Sequence, residues 1–96
     1  MKAVAEIQVI PIGSGVSVRS EVKRAHQVLR DSGLVVQLHS YGTNVEGPLE
    51  TILAAIQKVH ETLHAEGTVR LSTSVKIGTR TDKEVSLAAK LFDAAS

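Results

Sequence analysis

One short stretch collects most of the side chains able to bind or react. Tyr41-Gly42-Thr43-Asn44-Val45-Glu46 brings together an aromatic ring, a hydroxyl, a carboxamide and a carboxylate. A tyrosine ring can stack on a flat partner, which is worth roughly 0.5–1.5 kcal/mol beyond the area it buries. Thr43 and Asn44 supply neutral donors and acceptors. Glu46 can accept from an amine as a charged acceptor, or pair with Arg70 or Lys76 as a plain ion pair. His39, just upstream, is a further polar contact. A second stretch, Gly13-Ser14-Gly15-Val16-Ser17, opens onto a predicted helix start. Its backbone N–H groups and the positive helix end can hold an anion. It lacks the Gly-Lys-Ser/Thr ending of a phosphate loop and the glycine spacing of a dinucleotide site. A tight turn with Ser17 as an ordinary helix cap explains it equally well.

Catalysis finds less support. The chain has no cysteine, which excludes disulfides, thiolate metal sites and cysteine nucleophiles. There is no Ser-His-acid order and no nucleophile elbow. Glu6 and Glu46 could face each other across a sheet, but nothing marks them as an acid–base couple. His60 and His64 stand one helical turn apart, a spacing compatible with a metal, yet no third ligand is near in sequence. We expect no enzyme activity, no metal and no cofactor.

The elements that must position these residues follow from periodicity. Ala3, Ala5, Ile7 and Val9 alternate with Val4, Glu6, Gln8 and Ile10, which reads as a strand that Pro11 and Gly13 break. Ser17 should cap a helix whose apolar stripe is Val18, Val22, Ala25 and Leu29, with Gly33 at its end. Leu34–Leu38 alternates again. The Ser40-Tyr41-Gly42 turn then leads into a brief strand over 43–46, giving an antiparallel hairpin. Pro48 suits the first position of a second helix, striped by Leu49, Ile52, Leu53, Ile56, Val59 and Leu63 and stopped by Gly67. Residues 69–77 form a long, regular fourth strand. Thr81-Asp82-Lys83-Glu84 matches a capping box for a third helix. The order is that of an α+β, ferredoxin-like β-α-β-β-α-β antiparallel sheet with an appended C-terminal helix, in one domain over residues 1–96.

The helices should cover one face of the sheet. The other face then carries Glu6, Gln37, His39, Asn44, Glu46, Arg70 and Lys76, and either stays wet or packs on another copy. The fourth strand should lie at an edge, long and without proline, open to pairing with a second chain. Net charge is +1 and the only aromatics are Tyr41 and Phe92. Neither a phosphate-backbone footprint nor base stacking is suggested: strands one and four, the expected central pair of an RNA-recognition sheet, have no aromatic. No basic and apolar leader opens the chain, and no apolar run approaches ~18 residues. We expect a cytoplasmic protein without nucleic-acid or membrane partners.

Several spaced stretches together resemble the YkoF-like thiamine-binding family. They are Val9-Ile10-Pro11-Ile12-Gly13-x-Gly15-x-Ser17-Val18, Leu29-x-x-Ser32-Gly33-Leu34, Tyr41-Gly42-Thr43-x-Val45-Glu46-Gly47, Gly67-x-x-Arg70 and Lys76-Ile77-Gly78-x-Arg80. The resemblance covers essentially the whole chain. It implies a ferredoxin-like fold assembled as a homotetramer, a dimer of dimers, that binds thiamine or its hydroxymethyl-pyrimidine part without chemistry. Tyr41 stands where many members carry methionine. The resemblance makes Glu46, Thr43, Asn44, Tyr41, Ser17, Gly13 and His39 the candidate ligand-binding set, with Glu46 facing the pyrimidine amine or the cationic thiazolium. The alternative is a structural or regulatory oligomer without a small-molecule ligand.

Overall fold

The computed structural model describes residues 1–13 and 18–88. Its order is β1 (Lys2–Ile12), α1 (Arg19–Asp31), β2 (Val35–His39), β3 (Gly42–Pro48), α2 (Leu49–Ala65) and β4 (Arg70–Gly78). The four strands form one antiparallel sheet in the order β2-β3-β1-β4. This is the expected α+β, ferredoxin-like plan, with β4 at an edge. The central pair is β1 and β3, not β1 and β4, because both crossovers carry the chain past a neighbouring strand. Neither central strand has an aromatic.

Register sorts the side chains by face. Ala5 pairs with Val45 and Ile77, and Ile7 with Thr43 and Val75, so these residues look toward the helices. Glu6 pairs with Asn44 and Lys76, and Asn44 with Gln37, so these look the other way, onto the underside. The core lies between sheet and helices. Ala3, Ala5, Ile7 and Val45 meet Ala25, Val28 and Leu29 of α1 and Ile52, Ala55, Val59 and Leu63 of α2. Two stripe assignments shift: Leu53 is 51% exposed, and Ala55 takes the inward position. Adjacent helical positions lie about 100° apart, so they cannot both point at the sheet. Val22 also lies at the rim, half out of the core.

Several boundaries depart from the periodic reading. Pro11 does not break β1; it pairs with Leu71, and Ile12 with Arg70. Proline is tolerated in a strand flanked on one side only, and from Gln8 onward β1 has β4 as its sole pairing strand. The N-cap of α1 is Val18, which offers no side-chain acceptor, and its carbonyl accepts from Val22 N–H. Ser17, expected as the cap, lies outside the described residues. Pro48 is the N-cap of α2 rather than its first turn. Residues 81–86 are not helical; helix is assigned at Leu87 and Ala88, and residues 89–96, over which the appended helix is expected to run, lie outside the described residues. Within the expected capping box, Asp82 accepts from Arg80 Nε and Nη2 at 2.7 and 2.6 Å. That contact holds the Asp82 carboxyl at about 2, and the carboxylate of the box itself, Glu84, accepts from Lys2 instead of a helix-end N–H.

Gly33 and Gly67 end their helices with φ of +83° and +108°, the left-handed region that glycine enters freely. Gly42 is required for a different reason. A Cβ there would stand 2.7 Å from the backbone oxygen of Ile7. We expect Gly42→Ala to cost ~1–3 kcal/mol through overpacking between β1 and β3. Chemical denaturation should show the loss, with amide-exchange protection falling first at Gln8 and Thr43.

Candidate functional site

β1 has 11 residues and β3 has 7, and this mismatch builds a crevice. β3 accompanies β1 only as far as the Ile7–Thr43 pair. Beyond it, the chain turns back at Ser40–Tyr41 and leaves one flank of β1 without a neighbouring strand. Backbone N–H and C=O groups on that flank are not used by the sheet and are open to another partner. The notch is roofed by the first turns of α1. Its cavity is about 350 Å³, with walls that include Val22, Leu29 and Leu38 and a rim of His39, Tyr41 and Thr43.

Thr43 gives this crevice its chemical character. It is the one buried polar residue among those described, 6% exposed, and its hydroxyl has no hydrogen-bond partner among the described residues. An unpaired hydroxyl on a largely buried residue that lines a cavity is a place for a ligand or water. Tyr41, 79% exposed, stands at the hairpin tip. Its backbone N–H donates to His39 Nδ1 at 3.3 Å. That bond requires the His39 proton on Nε2, which then donates to Asn44 Oδ1 at 3.1 Å. Asn44 in turn donates from Nδ2 to Gln37 Oε1 at 3.5 Å. A directional chain thus runs from the crevice rim onto the underside.

The sequence candidates therefore divide. Tyr41, Thr43 and His39 meet at the crevice, and Gly13 ends the described part of the loop before α1. Asn44 and Glu46 lie on the underside. Glu46 does not pair with Arg70 or Lys76. Its Oε2 is 4.0 Å from Lys2 Nζ, and its Oε1 accepts the Leu87 N–H at 2.9 Å. Lys2 also donates to Glu84 at 3.0 Å, which raises the Lys2 pKa. Glu46, 16% exposed as a side chain, thus anchors the segment after β4. Glu46→Ala should cost roughly 1.5–3 kcal/mol, as for hydrogen bonds to charged groups. Faster amide exchange at Leu87 would be the local sign, and an unchanged melting temperature would refute it.

His60 and His64 are engaged separately, His60 Nε2 with Thr73 Oγ1 at 2.7 Å and His64 Nδ1–H donating to the Thr68 carbonyl at 2.7 Å. The described residues contain no cluster of three metal-ligating side chains. Periodicity missed the walls of the crevice, Val22 and Leu38, which it assigned to the core. The signal that could have found them is the unequal length of β1 and β3.

Comparison with known proteins adds the family. The sequence profile described as thiamine-binding protein matches residues 5–94. The chain belongs to the thiamine-binding protein family. Within it, the UPF0045 protein sll0230 of Synechocystis is 41% identical over 83 residues, covering 86% of this chain and 69% of that one. The UPF0045 protein MJ1052 of Methanocaldococcus jannaschii is 40% identical over 90 residues, covering 94% and 89%. A crystal structure of MJ1052 superposes with a TM-score of 0.91 over 98% of this chain and 96% of that one. A Thermotoga maritima protein, described as a candidate for thiamine biosynthesis or salvage, superposes at 0.86 with 18% identity over 98% of this chain and 99% of its own, and shares the fold. The family match agrees with the resemblance carried by the glycine-rich and Tyr41–Gly47 stretches. No helix among the described residues is long and apolar enough to cross a membrane.

Proposed function

We propose that this protein binds thiamine or its hydroxymethyl-pyrimidine moiety in the crevice between α1 and the β2–β3 hairpin, without catalysing a reaction on it. The observation that carries the reading is the Thr43 hydroxyl, unpartnered among the described residues, on a largely buried residue in the wall of an apolar notch. An aminopyrimidine presents an amine donor beside a ring-nitrogen acceptor on one flat edge. The bare flank of β1 offers the same alternation of donors and acceptors that a neighbouring strand would use. Val22 and Leu38 supply apolar walls, and the Tyr41 ring can close over the exposed face. A small pocket that is mostly apolar with a few placed polar groups suits a ligand of this size.

Membership of the thiamine-binding family supports the same ligand class. In this reading the protein works as a homo-oligomer, formed through the long exposed edge of β4. Titration calorimetry with thiamine and with hydroxymethyl-pyrimidine tests the ligand: heat with at least one of them is expected, and none with either at millimolar concentration removes the proposal. A stable oligomer that gives no heat would instead favour a purely structural or regulatory assembly.

A further inference from the structure

We propose that the underside of the sheet holds a second small-molecule site, separate from the crevice, that takes a free zwitterionic α-amino acid with an aliphatic side chain. A row of four polar residues crosses the sheet in register: Gln37, Asn44, Glu6 and Lys76 on β2, β3, β1 and β4. They line a cleft of about 360 Å³, closed at one end by Val4 and Leu87. The Leu87 wall is pinned by its N–H to Glu46 at 2.9 Å, so the cleft is built by two chain segments rather than by the sheet alone.

The unused bonding capacity of this row defines the ligand. Lys76 lies directly opposite Glu6 but makes no ion pair within 4 Å among the described residues. Its ammonium is therefore available to an anion. The Glu6 carboxylate lies 3.5 Å from His39 Nε2, and that N–H is already directed at Asn44 Oδ1 at 3.1 Å. Glu6 thus keeps acceptor capacity for a cation. Asn44 Oδ1 and Gln37 Oε1 are occupied as acceptors, which leaves mainly N–H donors of the two amides. The free groups are one cation, one anion and carboxamide donors.

A carboxylate beside an ammonium, as in an α-amino acid, satisfies all three. Its carboxylate meets Lys76 and an amide N–H, and its ammonium meets Glu6. Adjacent strands lie about 4.8 Å apart, so Glu6 and Lys76 can flank a ligand whose two charged groups share one carbon. The side chain then points at the apolar end formed by Val4 and Leu87. An aromatic heterocycle without a carboxylate would leave Lys76 unmet, so the cleft and the crevice differ in ligand chemistry.

The test uses the intact protein with L-leucine, leucinamide and N-acetyl-leucine, followed by calorimetry and thermal shift. L-Leucine should bind and raise the melting temperature, since a ligand that binds only the folded state stabilises it. Leucinamide lacks the carboxylate and N-acetyl-leucine the ammonium, so each should bind at least about tenfold more weakly, a difference of about 1.4 kcal/mol. Lys76→Met and Glu6→Gln should weaken leucine to a similar degree and leave thiamine binding at the crevice unchanged. Absence of leucine binding at millimolar concentration overturns the proposal, including when a second copy covers the underside. Equal binding of all three compounds overturns it too, as does leucine binding untouched by both substitutions in variants whose circular dichroism is native. Failure of thiamine to bind would bear on the crevice alone.

Discussion

Thr43→Val should weaken thiamine or hydroxymethyl-pyrimidine binding by about 10- to 100-fold while leaving the melting temperature unchanged or slightly higher. The two halves of this result come from one fact. Thr43 is a largely buried residue, 6% exposed, whose hydroxyl lacks a partner among the described residues. No bond inside the unliganded fold depends on it, so replacing it with an isosteric methyl removes no native interaction and adds apolar surface to a largely buried position. In the complex the sign reverses. The ligand group that would have met the hydroxyl is buried against a methyl and left unsatisfied, a cost within the roughly 1–3 kcal/mol range for such groups; about 1.4–2.8 kcal/mol of it is the stated 10- to 100-fold. A structural hydroxyl would behave in the opposite way, with stability falling and binding following only through unfolding. Measuring Kd by calorimetry and Tm on the same preparation separates the two. A lowered Tm with unchanged Kd would remove Thr43 from the site.

Why the sequence pointed to Thr43 but not to its setting is a matter of locality. The Tyr41–Glu46 stretch is contiguous, and its chemistry is visible in residue types alone. That Thr43 and Asn44 look to opposite sides also follows from the period of two along a strand. The crevice does not follow, because it exists only where an 11-residue strand outruns a 7-residue partner. That is set by register between segments more than 30 residues apart. The role of Glu46 was hidden for the same reason: its partners, Lys2 and Leu87, are remote in the chain. Pro11 misled because proline ends strands on average, and only the one-sided pairing of β1 beyond Ile7 makes it harmless here. The capping box at Thr81 failed because its carboxylate, Glu84, accepts from Lys2, which is remote in the chain. By contrast, the order of strands and helices was readable throughout, since each element carries its own apolar period.

Ile52→Ala should have the largest effect on stability, and it tests whether the whole architecture depends on a single thin layer. Ile52 is fully buried on α2, in the cluster with Ile7 and Val45 of the central strands and Leu29 of α1. The core has no aromatic; among the described residues it is made of Ala, Val, Ile and Leu. Such a layer has little bulk with which to refill a hole, so the cavity term should persist. Ile→Ala in a core costs ~2–5 kcal/mol, against a total of roughly 5–15 kcal/mol for a domain. A chain of this length loses about 4–8 °C in Tm for each kcal/mol, so a fall of well over 10 °C is expected. Leu53→Ala, one position along but half exposed, removes a comparable side chain and should move Tm by only a fraction of that. The pair discriminates burial from helix propensity, because alanine is the better helix former at both positions. Similar losses at the two sites would mean that α2 is not seated on the sheet by the face described.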